Sequence, residues 1–272
     1  MTQVVQVNFG GFVDTSTVDW PGRAVCTVFL RGCPLRCSYC HNAAIQSGER
    51  LLDTDEVISM IASARMLISG VVFSGGEPTL QKEPLGVLAR AAKGMGLKVG
   101  IHTNGYYPDT LAYLFGERLV DRVALDYKTR WEGYSKRWEG YADRCREDYT
   151  RQVRTSIAIC REAHAQGTLP EFQIVLTIFW GNEEDVFAIA REAAGVDLVL
   201  QQGVYKRSWG AGRDTKTGDR PGSGTGGGRA PYSLEELRMI ADRIGRPVRI
   251  RTHEGGETVY AGDRGCRASC QR

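Results

Sequence analysis

Between Ala24 and Gln202, short apolar runs rich in β-branched residues alternate with longer stretches of helical character, which limits the chain to few architectures. The expected strands are Ala24–Leu30, Val71–Ser74, Leu97–His102, Arg122–Asp126, Glu171–Ile178 and Asp197–Gln201. Each is a brief apolar run rather than a strict alternation, the pattern of a strand covered on both faces. Helices are expected at Thr54–Met66, behind a cap at Asp53, and at Leu80–Lys93, Asp109–Leu114, Asp148–Gln166 and Glu183–Glu192. Strand–helix repetition builds a parallel sheet through right-handed crossovers. Six such units fall short of the eight that close a barrel. The expectation is an α/β fold, a partial (β/α)6 barrel, over residues 1–208.

Outside that repeat, residues 1–13 are expected to add an edge strand broken at Gly10-Gly11. Residues 209–230 are rich in Gly, Arg and Asp around Gly226-Gly227-Gly228 and read as a flexible surface loop. No strand feeds them and no Gly-Lys-Ser/Thr closes them, so they are not a phosphate cradle. Residues 231–272 are expected to hold a helix, Ser233–Ile244, a strand, Val248–Thr252, and a polar tail.

With 42% hydrophobic and 25% charged residues, the chain of 272 can bury an ordinary core. A net charge of +3 gives no argument for a nucleic-acid surface. Met1–Val13 lacks the basic and apolar regions of a signal peptide, and no window approaches the ~18 apolar residues of a membrane helix. The protein is therefore expected in the cytoplasm, away from membranes, where thiols stay reduced. Its eight cysteines then read as metal ligands or buried thiols.

Cys33, Cys37 and Cys40 fall within Arg31-Gly32-Cys33-Pro34-Leu35-Arg36-Cys37-Ser38-Tyr39-Cys40-His41-Asn42, directly after the first strand. Gly32 and Pro34 disfavour helix at the start of this segment. A loop suits the spacing better, curling three thiolates onto three irons of a [4Fe–4S] cubane. The fourth iron would keep open positions for a chelating amino and carboxylate pair. A zinc site and buried structural thiols are the competing readings; zinc needs a fourth ligand at ribbon-like spacing, and Cys266 and Cys270 lie more than 200 residues away. Cys26, inside an apolar strand, reads as a core thiol.

With this triad the chain resembles the radical S-adenosylmethionine (SAM) superfamily. The resemblance implies a partial barrel of the radical SAM type, one cluster on Cys33, Cys37 and Cys40, and SAM docked on the open iron, where one electron cleaves it to methionine and a 5′-deoxyadenosyl radical. It places Tyr39, the aromatic residue before the third cysteine, near the adenine, and makes Asn42 a cofactor contact. Ser74-Gly75-Gly76-Glu77-Pro78, after the second strand, is similar to the family's second motif. There Gly75 and Gly76 let backbone approach the methionine ammonium, and Glu77 adds negative charge.

Ser16-Thr17-Val18-Asp19-Trp20-Pro21-Gly22-Arg23 resembles the entry segment of activating enzymes of glycyl-radical proteins, Thr-Val-Asp-Gly-Pro-Gly in those relatives, which lies beside the substrate's glycine loop. Trp20 stands where they carry the first glycine, and Asp19 is implied as the residue that orients the target. His102-Thr103-Asn104-Gly105 and Asp126-Tyr127-Lys128 are similar to motifs that surround the methionine carboxylate and a monovalent cation in pyruvate formate-lyase activase. The implied SAM contacts are Thr103, Asn104, Asp126 and Lys128. That activase has an aspartate at the position of His102, which reads equally well as a hydrogen-bonded core residue. Across nearly the whole chain the likeness is to archaeal-type activating proteins of the anaerobic ribonucleoside-triphosphate reductase, through Val18-Asp19-Trp20-Pro21-Gly22-Arg23, the single cluster and the late Arg249-Ile250-Arg251-Thr252. No cysteine lies between Cys40 and Cys145, which excludes a ferredoxin-like insertion there.

The implied activity is removal of a hydrogen atom from a backbone glycine of that reductase, with electrons from a low-potential donor such as flavodoxin or ferredoxin. Two alternatives stand: activation of another glycyl-radical enzyme, of the pyruvate formate-lyase type, or a small-molecule radical SAM reaction like that of 7-carboxy-7-deazaguanine synthase. Cys266 and Cys270 read as incidental thiols of a tail; the other options are an auxiliary cluster with Cys145 and Cys160, or a thiol pair serving a partner.

Overall fold

The computed structural model describes residues 5–37, 39–128, 143–204 and 230–262, with side chains from 148 onward in the third segment. The glycine-rich stretch, apart from Ala230, and the pair Cys266 and Cys270 lie outside the described residues, as does the side chain of Cys145.

In chain order the elements are β1 (Gln6–Ser16), β2 (Val25–Leu30), β3 (Leu51–Asp53), α1 (Thr54–Ala64), β4 (Gly70–Gly75), α2 (Lys82–Gly94), β5 (Lys98–Thr103) and α3 (Pro108–Gly116). There follow β6 (Arg122–Asp126), α4 (Asp143–Ala165), β7 (Glu171–Ile178), α5 (Glu183–Glu192), β8 (Asp197–Gln202), α6 (Leu234–Ile244), β9 (Val248–Thr252) and β10 (Gly256–Tyr260). They form one ten-stranded sheet in the order β10-β9-β8-β7-β6-β5-β4-β2-β1-β3, open at both ends. From β2 to β9 every pairing is parallel. Strands β1, β3 and β10 add antiparallel edges.

The parallel strands read as apolar runs because both faces are covered. Cys26, Val28 and Leu30 of β2 join the large core beneath the helices, with Phe73, Ile101, Leu125 and Ile174 from the neighbouring strands. The alternate residues face the concave side, where Trp20, Val25 and Val72 make one small cluster and Ala124, Val175 and Val199 another. Polar residues one step along the same faces, among them Thr27, His102, Asp126 and Gln201, line the rest of that hollow. Helix ends follow local chemistry. Glu56 accepts the Asp53 N–H at the start of α1, and Ser233 and Glu236 cap α6 reciprocally before Gly245 ends it at φ 78°.

Four expectations need correction. Gly10-Gly11 does not break the first strand: β1 runs on to Ser16, and Gly10 lets it pass close to β2, since a Cβ there would lie 2.9 Å from the Phe29 carbonyl oxygen. The helix expected to reach Met66 ends at Ala64, and a 3-10 turn covers Arg65–Leu67. The short β3 and the edge strand β10, at Gly256–Tyr260 where a polar tail was expected, were not anticipated, and β9 continues the parallel sheet. No helix among the described residues is long and apolar enough to cross a membrane.

Candidate functional site

All seven parallel strands point their carboxyl ends the same way, so the loops leaving β2, β4, β5 and β6 gather on one rim, the usual place for chemistry in such folds. The cysteine loop leaves β2 through Gly32, at φ 98°. Its backbone is held by Gly32 N–H to Ile45 (2.8 Å), Cys33 N–H to Gln46 (3.0 Å) and Cys40 N–H to Cys37 (3.1 Å). Arg31 donates to the carbonyls of Ala44 and Ser47, and Arg36 to those of Cys33 and Gln46. Those two arginines staple the loop, a role that nothing in their spacing announces.

Cys33, Cys37 and Cys40 are half-buried free thiols. Burial first, and then Glu77, pushes the Cys33 thiol up to about 12. Burial raises Cys37 to about 11, while Lys128 pulls it down. Cys37 and Cys40 both act on Cys33, so the three sulfurs share one electrostatic neighbourhood. Among the described residues no three His, Cys, Asp or Glu side chains close on a single ion. The donor set itself, three free cysteine thiols on one loop, suits a cubane, in which each thiolate would meet its own iron.

The Gly75-Gly76-Glu77 turn is packed against this loop backbone to backbone. A Cβ on Gly75, at φ 121°, would lie 2.5 Å from the Leu30 carbonyl oxygen, and one on Gly76 only 2.1 Å from that of Gly32. Gly76 N–H donates to Leu30 (2.8 Å) and Glu77 N–H to Gly32 (2.7 Å). Asn42 reaches across from the cysteine loop to donate to the Gly75 carbonyl (3.1 Å). Glu77 is fully buried, and its oxygens are taken up within the protein. One accepts from Thr79 N–H (3.0 Å), the Thr79 hydroxyl and the Thr103 hydroxyl (2.7 Å); the other accepts from Asn104 N–H (2.7 Å). Burial raises its pKa and these donors oppose the rise.

Thr103 and Asn104, at the end of β5, are thus tied to Glu77, and the Asn104 amide also reaches the Cys33 sulfur (3.7 Å). At the end of β6 the Lys128 ammonium pairs with Asp126 (3.0 Å) and lies 5.9 Å from the Tyr39 ring centroid. Burial works against that ammonium, but Asp126 and Cys37 outweigh it and raise its pKa. Tyr39 in turn packs on Phe179, their ring centroids 4.6 Å apart.

Asp19 sits in the hollow below this rim. Its carboxylate accepts from the Thr27 hydroxyl (2.8 Å), and its carbonyl accepts from Arg122 (3.0 Å) and faces His102 Nε2 (2.9 Å). Burial, then the charge of Arg122, pushes His102 down to about 4, so it is neutral at pH 7. Trp20, in the first-glycine position of the motif, is buried, donates to Glu171 (3.1 Å), and carries the guanidiniums of Arg23 and Arg122 at 5.2 and 5.5 Å from its ring centroid. Gly100 leaves it room, since a Cβ there would come within 3.0 Å of two ring carbons. A cavity of about 210 Å³ lies at the opposite, amino-terminal end of the strands, with Trp20 and Arg122 in its wall, away from the cysteine loop. Cys160, a candidate for a second cluster, belongs to α4 and is buried in the core, an apolar setting in which its thiol pKa is raised.

The model of the radical SAM superfamily matches residues 27–192, from β2 through α5. This chain belongs to the radical SAM superfamily. As a radical SAM enzyme it uses a [4Fe–4S] cluster and SAM, and the free thiols on the β2 loop form a donor set of the right kind. A putative glycyl-radical enzyme activating enzyme of Methanocaldococcus jannaschii is 33% identical over 196 residues, 71% of this chain and 78% of that protein. The pyruvate formate-lyase-activating enzyme of Clostridium pasteurianum is 37% identical over 122 residues, 41% of this chain and 48% of that protein. The 7-carboxy-7-deazaguanine synthase of Hyperthermus butylicus is 39% identical over 94 residues, 33% of this chain and 39% of that protein.

Proposed function

We propose that this radical SAM enzyme is an activase that removes a hydrogen atom from a backbone glycine of a separate protein, anaerobic ribonucleoside-triphosphate reductase. The observation that carries the activase reading is the reach of the likeness. It extends over 71% of the chain for the activating enzyme of Methanocaldococcus, against 33% for the deazaguanine synthase. The choice of reductase rests on the Val18–Arg23 segment with its tryptophan. Bound together, the cluster and SAM supply the hydrogen-abstracting radical.

The chain's own residues do the rest. Cys33, Cys37 and Cys40 hold three irons. Gly75 and Gly76 bring backbone close to the cofactor, and Lys128, steadied by Asp126, offers a cation to the methionine carboxylate. Tyr39, flanked by Phe179, gives the adenine an aromatic neighbour. Asp19, held by Thr27 and Arg122, orients the incoming glycine segment. Electrons come from a low-potential donor such as flavodoxin or ferredoxin.

The test is anaerobic reconstitution with iron, sulfide and SAM, followed by incubation with purified reductase and electron paramagnetic resonance. A glycyl-radical signal on the reductase supports the reading. A signal on pyruvate formate-lyase alone moves the substrate to that enzyme, and SAM cleavage with no signal on either protein overturns the activase assignment.

A further inference from the structure

We infer that Asn104 is a positioning residue for the cluster, donating an amide N–H···S hydrogen bond to the Cys33 sulfur and thereby raising the reduction potential of the cluster. The inference rests on Cys33 being a cluster ligand and not on the identity of the protein substrate, so it stands or falls apart from the activase reading.

An asparagine amide has a donor end and an acceptor end, and here the protein decides which is which. Asn104 Oδ1 lies 3.0 Å from the backbone N–H of Tyr106. A backbone N–H can only donate, so the oxygen end is fixed there. The amino end therefore faces Cys33 Sγ, at 3.7 Å. The residue cannot easily turn, because its own backbone N–H is held by the buried Glu77 carboxylate at 2.7 Å and the side chain is nearly inaccessible. A second donor, Leu35 N–H, points at the same sulfur from 3.4 Å.

The three cysteines are therefore served unequally. Cys37 has the Lys128 charge nearby, whereas Cys33 lies near the Glu77 carboxylate, which disfavours further negative charge on its sulfur. The Asn104 amide opposes that carboxylate at short range. Hydrogen bonds to cluster sulfurs withdraw electron density and favour the reduced, more negative state. A cluster that must accept an electron from a protein donor benefits from such a bond.

The measurement is a redox titration of the SAM-free cluster followed by electron paramagnetic resonance, with iron content checked for every protein. Asn104→Ala removes the donor and the bulk; Asn104→Leu keeps most of the bulk and removes the donor without adding charge. Both variants should show a more negative midpoint. At a fixed potential the ratio of reduced to oxidised cluster should fall about tenfold, equivalent to 59 mV for one electron. Tyr106→Phe, which keeps the backbone N–H and alters the same loop only at its hydroxyl, should leave the midpoint in place. A second readout uses wild-type protein labelled with 15N-asparagine, in which the reduced cluster should show a nitrogen hyperfine coupling. A midpoint unmoved in Asn104→Leu overturns the inference. So does a wild-type spectrum without nitrogen coupling, whether or not the variants load iron.

Discussion

Replacing Gly76 with alanine adds a single methyl group at the tightest backbone approach of the rim. That methyl carbon would lie 2.1 Å from the Gly32 carbonyl oxygen, where ordinary contact begins at 3.4 Å, so the two backbones must part by about 1.3 Å. No flexible side chain can absorb the movement, because the obstructing atoms belong to the Gly32 backbone. Parting the chains breaks Glu77 N–H to Gly32 and Gly76 N–H to Leu30, both at or below 2.8 Å. Each donor left unsatisfied in a buried place costs roughly 1–3 kcal/mol, so the loss of stability should be about 2–6 kcal/mol. Function should suffer as well, because a displacement near 1 Å at a reacting centre costs on the order of 100-fold in rate. Urea unfolding of the iron-free protein reads the first effect. The rate of SAM cleavage by the reconstituted protein reads the second. Unchanged stability together with wild-type cleavage would refute the reading of this glycine as a backbone joint between the β4 turn and the cysteine loop.

Cys37→Ala should abolish cluster loading and SAM cleavage; absorbance near 400 nm, about where thiolate–iron charge transfer falls, should disappear. Trp20→Gly restores the glycine of the related segment but empties a buried site, and should cost about 3–5 kcal/mol by urea unfolding. His102 gives a pH dependence of definite sign. Its pKa is pushed from 6.5 down to about 4, so the stability it contributes is complete above pH 6.5 and is lost as pH falls toward 4, by at most about 3 kcal/mol. His102→Gln should flatten that part of the unfolding profile, and an unchanged slope would contradict the assignment.

The parallel strands were legible because burial on two faces writes itself as unbroken apolar runs, and Arg122–Asp126 and Glu171–Ile178 end where the sequence suggests. Strand β3 has only three residues, and β10 is an exposed edge whose Gly256-Glu257-Thr258 carries no apolar signal. Such strands are defined by their partners rather than by their own composition. In the site, the loop character of the cysteine segment could be read from Gly32 and Pro34, whereas the glycine pair entered only through the family resemblance. The positions that shape their surroundings could not be read. Arg122 reads locally as a charged residue at a strand start, yet it is fully buried, donates to the Asp19 carbonyl and lies against Trp20. Those contacts join residues about a hundred positions apart, and no local pattern encodes them. Glu77 shows the same limit differently: its presence was readable, but the donors that occupy it come from the end of another strand.

Those donors make Glu77 a brace between loops rather than an isolated charge. Through its backbone it holds the cysteine loop, and through its carboxylate it holds Thr79, Thr103 and Asn104. Lys128 stands outside that brace, with Asp126 as its ion-pair partner. Perturbations inside the brace should therefore compensate or compound one another, while Lys128 should act independently. In iron-free protein, the unfolding free energies of Glu77→Gln and Thr103→Val should fail to add by roughly 0.5–3 kcal/mol, because the two residues share one hydrogen bond. Thr103→Val combined with Lys128→Met should add within about 0.5 kcal/mol. Additivity in the first pair would mean that the β4 and β5 loops are placed independently. In that case the Glu77 carboxylate, for all its buried partners, would not be what aligns the cysteine loop with the end of β5.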